Sequence, residues 1–512
     1  MGGKRMAVSK KQSARLRNVA VVSLVLLVFY GFLLHSDQDL GSSRPKTTAE
    51  FDDSPATSYG NHARKQASRQ KLSSEELNNR FMTSKQCATT FPGLTKEIDD
   101  VVAKGPFTLT KTGDLGPLIA RVKDGKLFIL QSPRRTDLSE DMLQHRSASL
   151  HQVAAALLTS PNPAEVPDTI FALNHRDDPA EATFSYSRPA DPSLNHATRG
   201  FFPIPHFSFW SWPLPFIGSL PRAASAIRDI EDGKHALAWR DKDPRAVWRG
   251  TAHFNNVRAG RMRQELLLTG AGKPWSDIAA LQWTDGGANA SNALPIEEFC
   301  RYRYVVHTEG ITYSGRFQFH QLCASVILTP PLAWMQHLTH LVRPVFSYDL
   351  PSLALTDDNT PPSSADSPAR LLTTTIERTL RPPKTYSNGV HEKLSLALYP
   401  APWVRQAWPR SYLSHDEQGP NMVFVAPDWS DLESVVAWLE AHPRVAEGIA
   451  RRQRNLFDGR GYFSPAAETC YWRAALRGWS RAAQYNDQPG GEFAALGDGV
   501  PWEEFSLKEI HR

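Results

Sequence analysis

The chain has 512 residues, 41% of them hydrophobic, with 14 Trp, which is enough for two compact units plus tails and for a sizeable core. Its 58 basic against 53 acidic side chains leave a formal charge of +5, much of it contributed by the N-terminus. A nearly neutral body without a concentrated basic face excludes a nucleic-acid binder.

Residues 1–18 carry Lys4, Arg5, Lys10, Lys11, Arg15 and Arg17, and no acid occurs before Asp37. Val19 to Leu34 then runs without a charge, somewhat short of the ~20 residues of an average bilayer crossing but within reach of a thinner membrane or anchoring flanks. A cleaved signal peptide has an equally short apolar region, yet this run contains Phe29, Tyr30 and Phe32 and leads into HSDQDL with no small-residue cleavage site. The expectation is a single-pass type II membrane protein: a cytoplasmic tail over 1–18, an anchor over 19–35 and a lumenal remainder, in the Golgi or the endoplasmic reticulum. Residues 36–86, rich in Ser, Lys, Arg, Asp and Gln, read as a disordered stem, and the folded body is expected from about Cys87.

Three later segments share one pattern, an apolar strand that ends in polar residues. DTIFALN, 168–174, leads into His175-Arg176-Asp177-Asp178-Pro179. AVWRG, 246–250, leads into Thr251-Ala252-His253-Phe254, and a helical pattern follows from about Val257 to Leu268, closing at Gly270. YRYVVH, 302–307, leads into Thr308-Glu309-Gly310-Ile311-Thr312-Tyr313-Ser314-Gly315-Arg316, after which a helix to about Ser325 and the strand SVILTP are expected. Strand, Gly-rich turn, helix and strand make a βαβ unit and imply a parallel sheet. Open α/β sheets bind ligands beyond the carboxyl ends of their strands, where all three polar clusters would sit.

Arg316 at a helix start, behind two glycines and hydroxyl side chains, suits a diphosphate, and Arg258 or Arg261 could supply a second cationic contact. An Arg at a helix start equally suits a salt bridge to a surface acid. Asp177, crowded by Asp178 and stiffened by Pro179, is the candidate for acid–base work, although the same residues would make a turn-forming Asp. Asp241-Lys242-Asp243 has the DxD form of manganese-binding transferases, but the same form occurs at Asp37-Gln38-Asp39 in the stem, so it reads as a solvated loop. His253, His307, His320, His337 and His340 have no metal-ligand spacing, and no metal ligand is expected. Asn289-Ala290-Ser291 is an N-glycosylation sequon that equally fits an unmodified loop. The stretch 350–420, with PPSSADSP and RPPK, reads as an insertion with little regular structure.

The ordered motifs PDTIFALNHRDDP, FPIPHFSFWSWP, AVWRGTAHFNNVRAGRMR, CRYRYVVHTEGITYSGRFQFHQLCASVIL, DWSDLESVVAWL and CYWRAALRGW run from about Pro167 to Trp479. Together they resemble the capsule-associated glycosyltransferase family of fungi, which also contains the Rumi-type protein O-glucosyltransferases of animals. The resemblance implies a GT-B fold, two Rossmann-like domains with a cleft. Mapped here, these are an acceptor-side domain at 87–235, a nucleotide-sugar domain at 236–464, and C-terminal helices at 465–512 packing back on the body. It implies a UDP-sugar donor, UDP-xylose or UDP-glucose, transferred with inversion to a hydroxyl of a glycan or glycoprotein, without a metal or other cofactor. Asp177 would be the general base. Arg316, helped by Ser314 and Gly310 of the same loop, would hold the diphosphate, and Thr251 with Arg258 or Arg261 would complete the donor site. The alternative is a catalytically inactive lumenal glycan-binding or scaffold protein of the same fold. A glycoside hydrolase would need two separated carboxylates, whereas Asp177 and Asp178 are adjacent.

The four cysteines contain no CxxC pair, and on the lumenal side disulfides persist. Cys300 precedes the strand at 302–307, and a returning helix ends at Cys323. A six-residue strand rises ~20 Å and a helix from Ser314 descends ~14 Å, which brings the two sulfurs to similar levels. A Cys300–Cys323 disulfide is expected, with Cys87–Cys470 as the remaining pair.

Overall fold

A computed structural model describes residues 71–510 except 112, 114–115, 192–199, 256–259, 355–401 and 409–416. The tail, the apolar run 19–35, the stem as far as residue 70, Arg258 and most of the 350–420 stretch lie outside the described residues. No helix among the described residues is long and apolar enough to cross a membrane.

Ordered structure begins ahead of Cys87, inside the expected stem. α1 (Ser74–Asn78) and α2 (Ser84–Thr90) each open with a reciprocal capping box, Ser73 with Glu76 and Thr83 with Gln86. Leu77 and Met82 are buried, and the Leu72 N–H donates to the Gly459 carbonyl at 3.0 Å. These apolar residues anchor a segment whose overall composition is polar, so the folded body takes in 71–86.

The first sheet is mixed, with antiparallel strands beside parallel ones. β1 (Leu118–Lys123) and β2 (Lys126–Gln131) form a hairpin around Asp124-Gly125, whose φ values are 51° and 71°. An Asp-Gly pair with both φ positive is the turn that matches the twist of antiparallel strands. β3 (Thr169–Leu173) pairs antiparallel with β1; β4 (Thr183–Ser185) and β5 (Phe201–Pro203) then continue in parallel. Val500–Pro501 closes the far edge against β2. α3 (Glu140–Leu158) packs near this sheet, with Ser149 bonded to Tyr186 at 2.9 Å.

The second sheet is parallel throughout. β6 (Asp243–Gly250), β7 (Ser276–Ala280), β8 (Tyr302–Val306), β9 (Val326–Thr329), β10 (Pro344–Phe346) and β11 (Met422–Phe424) lie in the order β10-β11-β9-β8-β6-β7. From β6 the chain passes through α4 (Met262–Gly270) to β7 on one side, and from β8 through α5 (Phe317–His320) to β9 on the other. The connections diverge between β6 and β8, so a crevice opens beyond Gly250 and Val306, as at any topological switch point.

The expected βαβ unit is present, but α5 is only four residues long and does not run to Ser325. The carbonyls of His320, Cys323 and Ser325 instead accept the buried Gln453 side-chain amide at 3.3, 3.4 and 3.3 Å. Just beyond α5, Cys323 is bonded to Cys300 with Cα atoms 4.8 Å apart, and Cys87 to Cys470 at 5.7 Å. Both expected pairings are present. α6 (Pro465–Ala482) carries Cys470 into the first sheet's core, where Tyr471, Trp472 and Trp479 are fully buried. The Trp479 indole donates to the Ile170 carbonyl at 2.8 Å and the Trp472 indole to Gln152 at 2.9 Å.

The two sheets meet along a tight seam. Trp334-Met335 pairs antiparallel with Arg188-Pro189, and Gln318 donates to the Ser208 hydroxyl at 2.7 Å. Gly315 is closest of all: a Cβ there would lie 2.4 Å from His206 Cε1 and Nε2 and 3.0 Å from Trp212. His206 has no room to retreat, because it is buried and its Nδ1 is bonded to the Ser208 hydroxyl at 2.8 Å.

Two consequences are measurable. Replacing Cys300 and Cys323 together by Ser is expected to cost about 3 kcal/mol, the chain-entropy value for a loop of roughly two dozen residues, read from denaturant unfolding. Gly315→Ala is expected to cost about 1–3 kcal/mol through overpacking against His206, lowering Tm although no polar contact is removed.

Candidate active site

The turn after β3 is locked by its first residue. The buried Asn174 amide donates to the Asp178 carbonyl at 2.6 Å, and its oxygen accepts the Arg176 N–H at 3.1 Å. This presents Asp177 toward the other sheet, where Thr312 donates its hydroxyl to the Asp177 carbonyl at 3.2 Å and Tyr313 donates to Oδ1 at 3.3 Å. By surface area Asp177 is exposed, yet crowding by protein is the largest influence on its carboxyl. Both hold for a residue on the wall of a cleft, open to water on one side. Burial raises the carboxyl above the usual range, Asp178 and Asp141 push it further, and only the Tyr313 hydrogen bond opposes them. The sequence pointed to crowding by Asp178; burial is the larger cause.

Beyond β6 and β8 the crevice is lined by cations. Arg263, in the first turn of α4, is buried; its guanidinium donates to the Glu309 carbonyl at 2.9 and 3.1 Å and to the Thr251 carbonyl at 2.9 Å. Arg316 is part-buried by area and donates to the Arg249 carbonyl. Burial, followed by the neighbouring Arg316 charge, pulls Arg263 down to about 9, and burial pulls Arg316 down to about 10. Both remain charged at neutral pH. Among the described residues no carboxylate pairs with either. His307 and His320 are held well below the usual imidazole range by burial and by Arg316, so they stay neutral beside it.

The rest of the loop is fixed by its own bonds. Gly310 donates to the Tyr313 carbonyl at 3.0 Å, closing the turn that brings Ser314 and Arg316 forward. The Glu309 carboxylate accepts the N–H groups of Ala333 and Trp334 at 3.1 and 2.9 Å. Thr251 accepts the Trp283 indole at 3.0 Å on its hydroxyl, and through Arg263 its carbonyl is tied to that of Glu309 in the loop that carries Gly310, Ser314 and Arg316.

Arg261 does not join them. Helix α4 starts at Met262, which leaves Arg261 exposed at the boundary and turns Arg263 inward. Arg258 lies outside the described residues. Among the described residues the arginine that feels Arg316 is Arg263, missed because the expected helix started too early to place it in the first turn. Tyr313 and Trp283 were also missed, because their partners, Asp177 and Thr251, lie far from them in sequence.

The DxD residues lie at the opposite end of β6. Lys242 is buried against Glu231 at 2.7 Å, and Asp243 is taken by Arg245 at 2.6 Å. Asn289 is exposed, next to Ala290 in a short strand paired with Trp283-Thr284.

The profile described as glycosyl transferase family 90 matches residues 122–351, which include every described residue of the crevice named above. An "O-glucosyltransferase rumi homolog" of Anopheles gambiae is 26% identical over 198 residues, 36% of this chain and 47% of that protein. A "Protein O-glucosyltransferase 1" of Bos taurus is 23% identical over 201 residues, 36% of this chain and 48% of that protein. A second rumi homolog, of Aedes aegypti, is 25% identical over 205 residues, 37% of this chain and 48% of that protein. The chain spans about half the length of the curated relatives it matches. Through the segment 122–351 the chain is similar to glycosyl transferase family 90 and to Rumi-like O-glucosyltransferases.

Proposed function

We propose that this chain is an inverting glycosyltransferase that moves xylose or glucose from a UDP-sugar to a hydroxyl of a glycan or glycoprotein. The observation that carries this reading is the pair of enclosed guanidinium groups, Arg263 and Arg316, with no carboxylate partner among the described residues. A buried charge without a counter-ion is costly, and a diphosphate would supply the missing anion. Arg316 and Ser314 are assigned to the diphosphate, with Thr251 and Gly310 shaping the pocket. Arg263 spends its donors on backbone carbonyls and contributes its field.

In the proposed reaction the acceptor hydroxyl oxygen attacks the anomeric carbon and its proton passes to the Asp177 carboxylate. The bond from that carbon to the phosphate oxygen breaks, and UDP leaves with the electron pair, its charge met by Arg316. The raised Asp177 carboxyl is a stronger base than an ordinary aspartate while ionised, which suits it to this proton. We assign the diphosphate charge to guanidinium groups and not to a DxD-bound metal, because Asp241 and Asp243 flank a buried ion pair at the wrong end of β6. The two sheets correspond in this reading to the halves of a GT-B fold. The two disulfides favour the lumen of the secretory pathway, Golgi or endoplasmic reticulum, with 19–35 as the membrane anchor.

The test is UDP release by the full-length protein with UDP-xylose, UDP-glucose and UDP-galactose, with and without acceptor. Acceptor-dependent release that survives a chelator is expected. UDP binding without transfer from any donor would identify the glycan-binding alternative. Asp177→Asn is expected to keep UDP affinity and lose roughly 10²–10⁴-fold in transfer rate. Arg316→Ala is expected to weaken UDP by ~1.5–3 kcal/mol, the value of a charged hydrogen bond; calorimetry showing unchanged affinity would reject its role.

A further inference from the structure

Asp177 belongs to the first sheet, but what holds it comes from the second. Thr312 grips its carbonyl and Tyr313 its carboxylate. On the same loop, Ser314 follows Tyr313 directly and Arg316 lies three residues on. Tyr313 itself has little freedom. It is 6% exposed, with its ring centroid 6.1 Å from Tyr186 and 5.6 Å from His206. Gly315, two residues on, is seated against that same His206.

A buried tyrosine is usually core. Here the ring serves that purpose, and a phenylalanine would serve it equally; the hydroxyl is what needs explaining. Its hydrogen-bond partner is the carboxylate of Asp177. Burial, followed by the Asp177 and Tyr186 neighbours, pushes the phenol well above its ordinary range, so it stays protonated and acts as a donor. At 3.3 Å the bond is longer than the usual O–H···O range, so a shift of a few tenths of an ångström in the loop changes its strength.

We propose that Tyr313 is the positioning residue of the base: its hydroxyl orients the Asp177 carboxylate from the loop that also carries the diphosphate-binding Arg316. This rests on the roles of Asp177 and Arg316 proposed above. The groups around the carboxylate are Asp178, Arg176 and His175 on its own turn, Asp141 from α3, Tyr186 beyond β4, and Tyr313. Of the named influences on Asp177, burial, Asp178 and Asp141 raise it, and the Tyr313 bond lowers it. Removing the hydroxyl therefore leaves a carboxyl that holds its proton to higher pH. A general base works when deprotonated, so the acidic limb of kcat/KM moves to higher pH.

The experiment compares full-length wild type, Tyr313→Phe, Asp177→Asn and the double variant. It reads the pH profile of transfer, UDP affinity, Tm and the Asp177 carboxyl titration by carbon NMR. Tyr313→Phe is expected to keep UDP affinity and Tm, to lose less than the roughly 10²–10⁴-fold of a missing base, and to shift the acidic limb upward. Its Asp177 signal is expected to titrate at higher pH, and adding Tyr313→Phe to Asp177→Asn to cost little more. An unmoved limb with an unmoved carboxyl titration overturns the proposal, as does a loss of Tm without either shift, which would make Tyr313 structural only. Absence of transfer in the wild type would sink the transferase reading, while the carboxyl titration would still decide the role of Tyr313.

Discussion

Two guanidinium groups withdrawn from bulk water repel each other and have no acid among the described residues to neutralise them, and much of the architecture around the crevice is what makes that arrangement tolerable. Each is held through its N–H groups by backbone carbonyls, Thr251 and Glu309 for Arg263 and Arg249 for Arg316. Carbonyl dipoles satisfy the donors without cancelling the charge, so the pocket keeps its positive potential. A carboxylate in the same place would have stabilised the empty protein more and removed its attraction for an anion. The carbonyls belong to the ends of two adjacent strands and the loops that follow them, so the topology that opens the crevice also supplies the groups that hold its charges.

One loop, 308–316, serves both halves of the molecule. It accepts Arg263 on Glu309, pins itself to 333–334 through the same residue's carboxylate, reaches Asp177 through Thr312 and Tyr313, and packs Gly315 on His206. The absence of a side chain at Gly315 is what permits so close an approach. The Cys300–Cys323 bridge encircles the loop from behind. Such a loop has little room for independent motion, and the separation between Asp177 and Arg316 is set by backbone geometry.

Much of this was legible in the sequence. The strands at 168–174, 246–250 and 302–307 and the polar turns after them follow from apolar runs that stop abruptly, and the parallel pairing of β8 with β9 follows from the helical crossover between them. Both disulfides followed from that layout and from elimination. What escaped depended on tertiary partners. Where the helix was expected to continue past α5, the carbonyls of His320, Cys323 and Ser325 face Gln453, more than a hundred residues away. Arg263 and Arg261 differ only in which side of a helix start they fall. The mixed character of the first sheet had a local signal, Asp124-Gly125 between two apolar runs, that was passed over. So did the capping residues of α1 and α2, hidden by the polar composition around them.

The path of the chain has a consequence for its biosynthesis. Cys87 emerges 383 residues before its partner Cys470, whereas Cys300 and Cys323 are only 23 apart and appear between them. The first sheet also lacks Trp472 and Trp479, two of its largest buried side chains, until α6 arrives. The N-terminal half therefore cannot complete its core as it leaves the ribosome, in contrast to the usual order in which early domains fold during synthesis. The Cys87–Cys470 bridge can close only after Cys470 has emerged, whereas the Cys300–Cys323 bridge can close before it. The bond of longest sequence range is thus the one that must await the end of the chain.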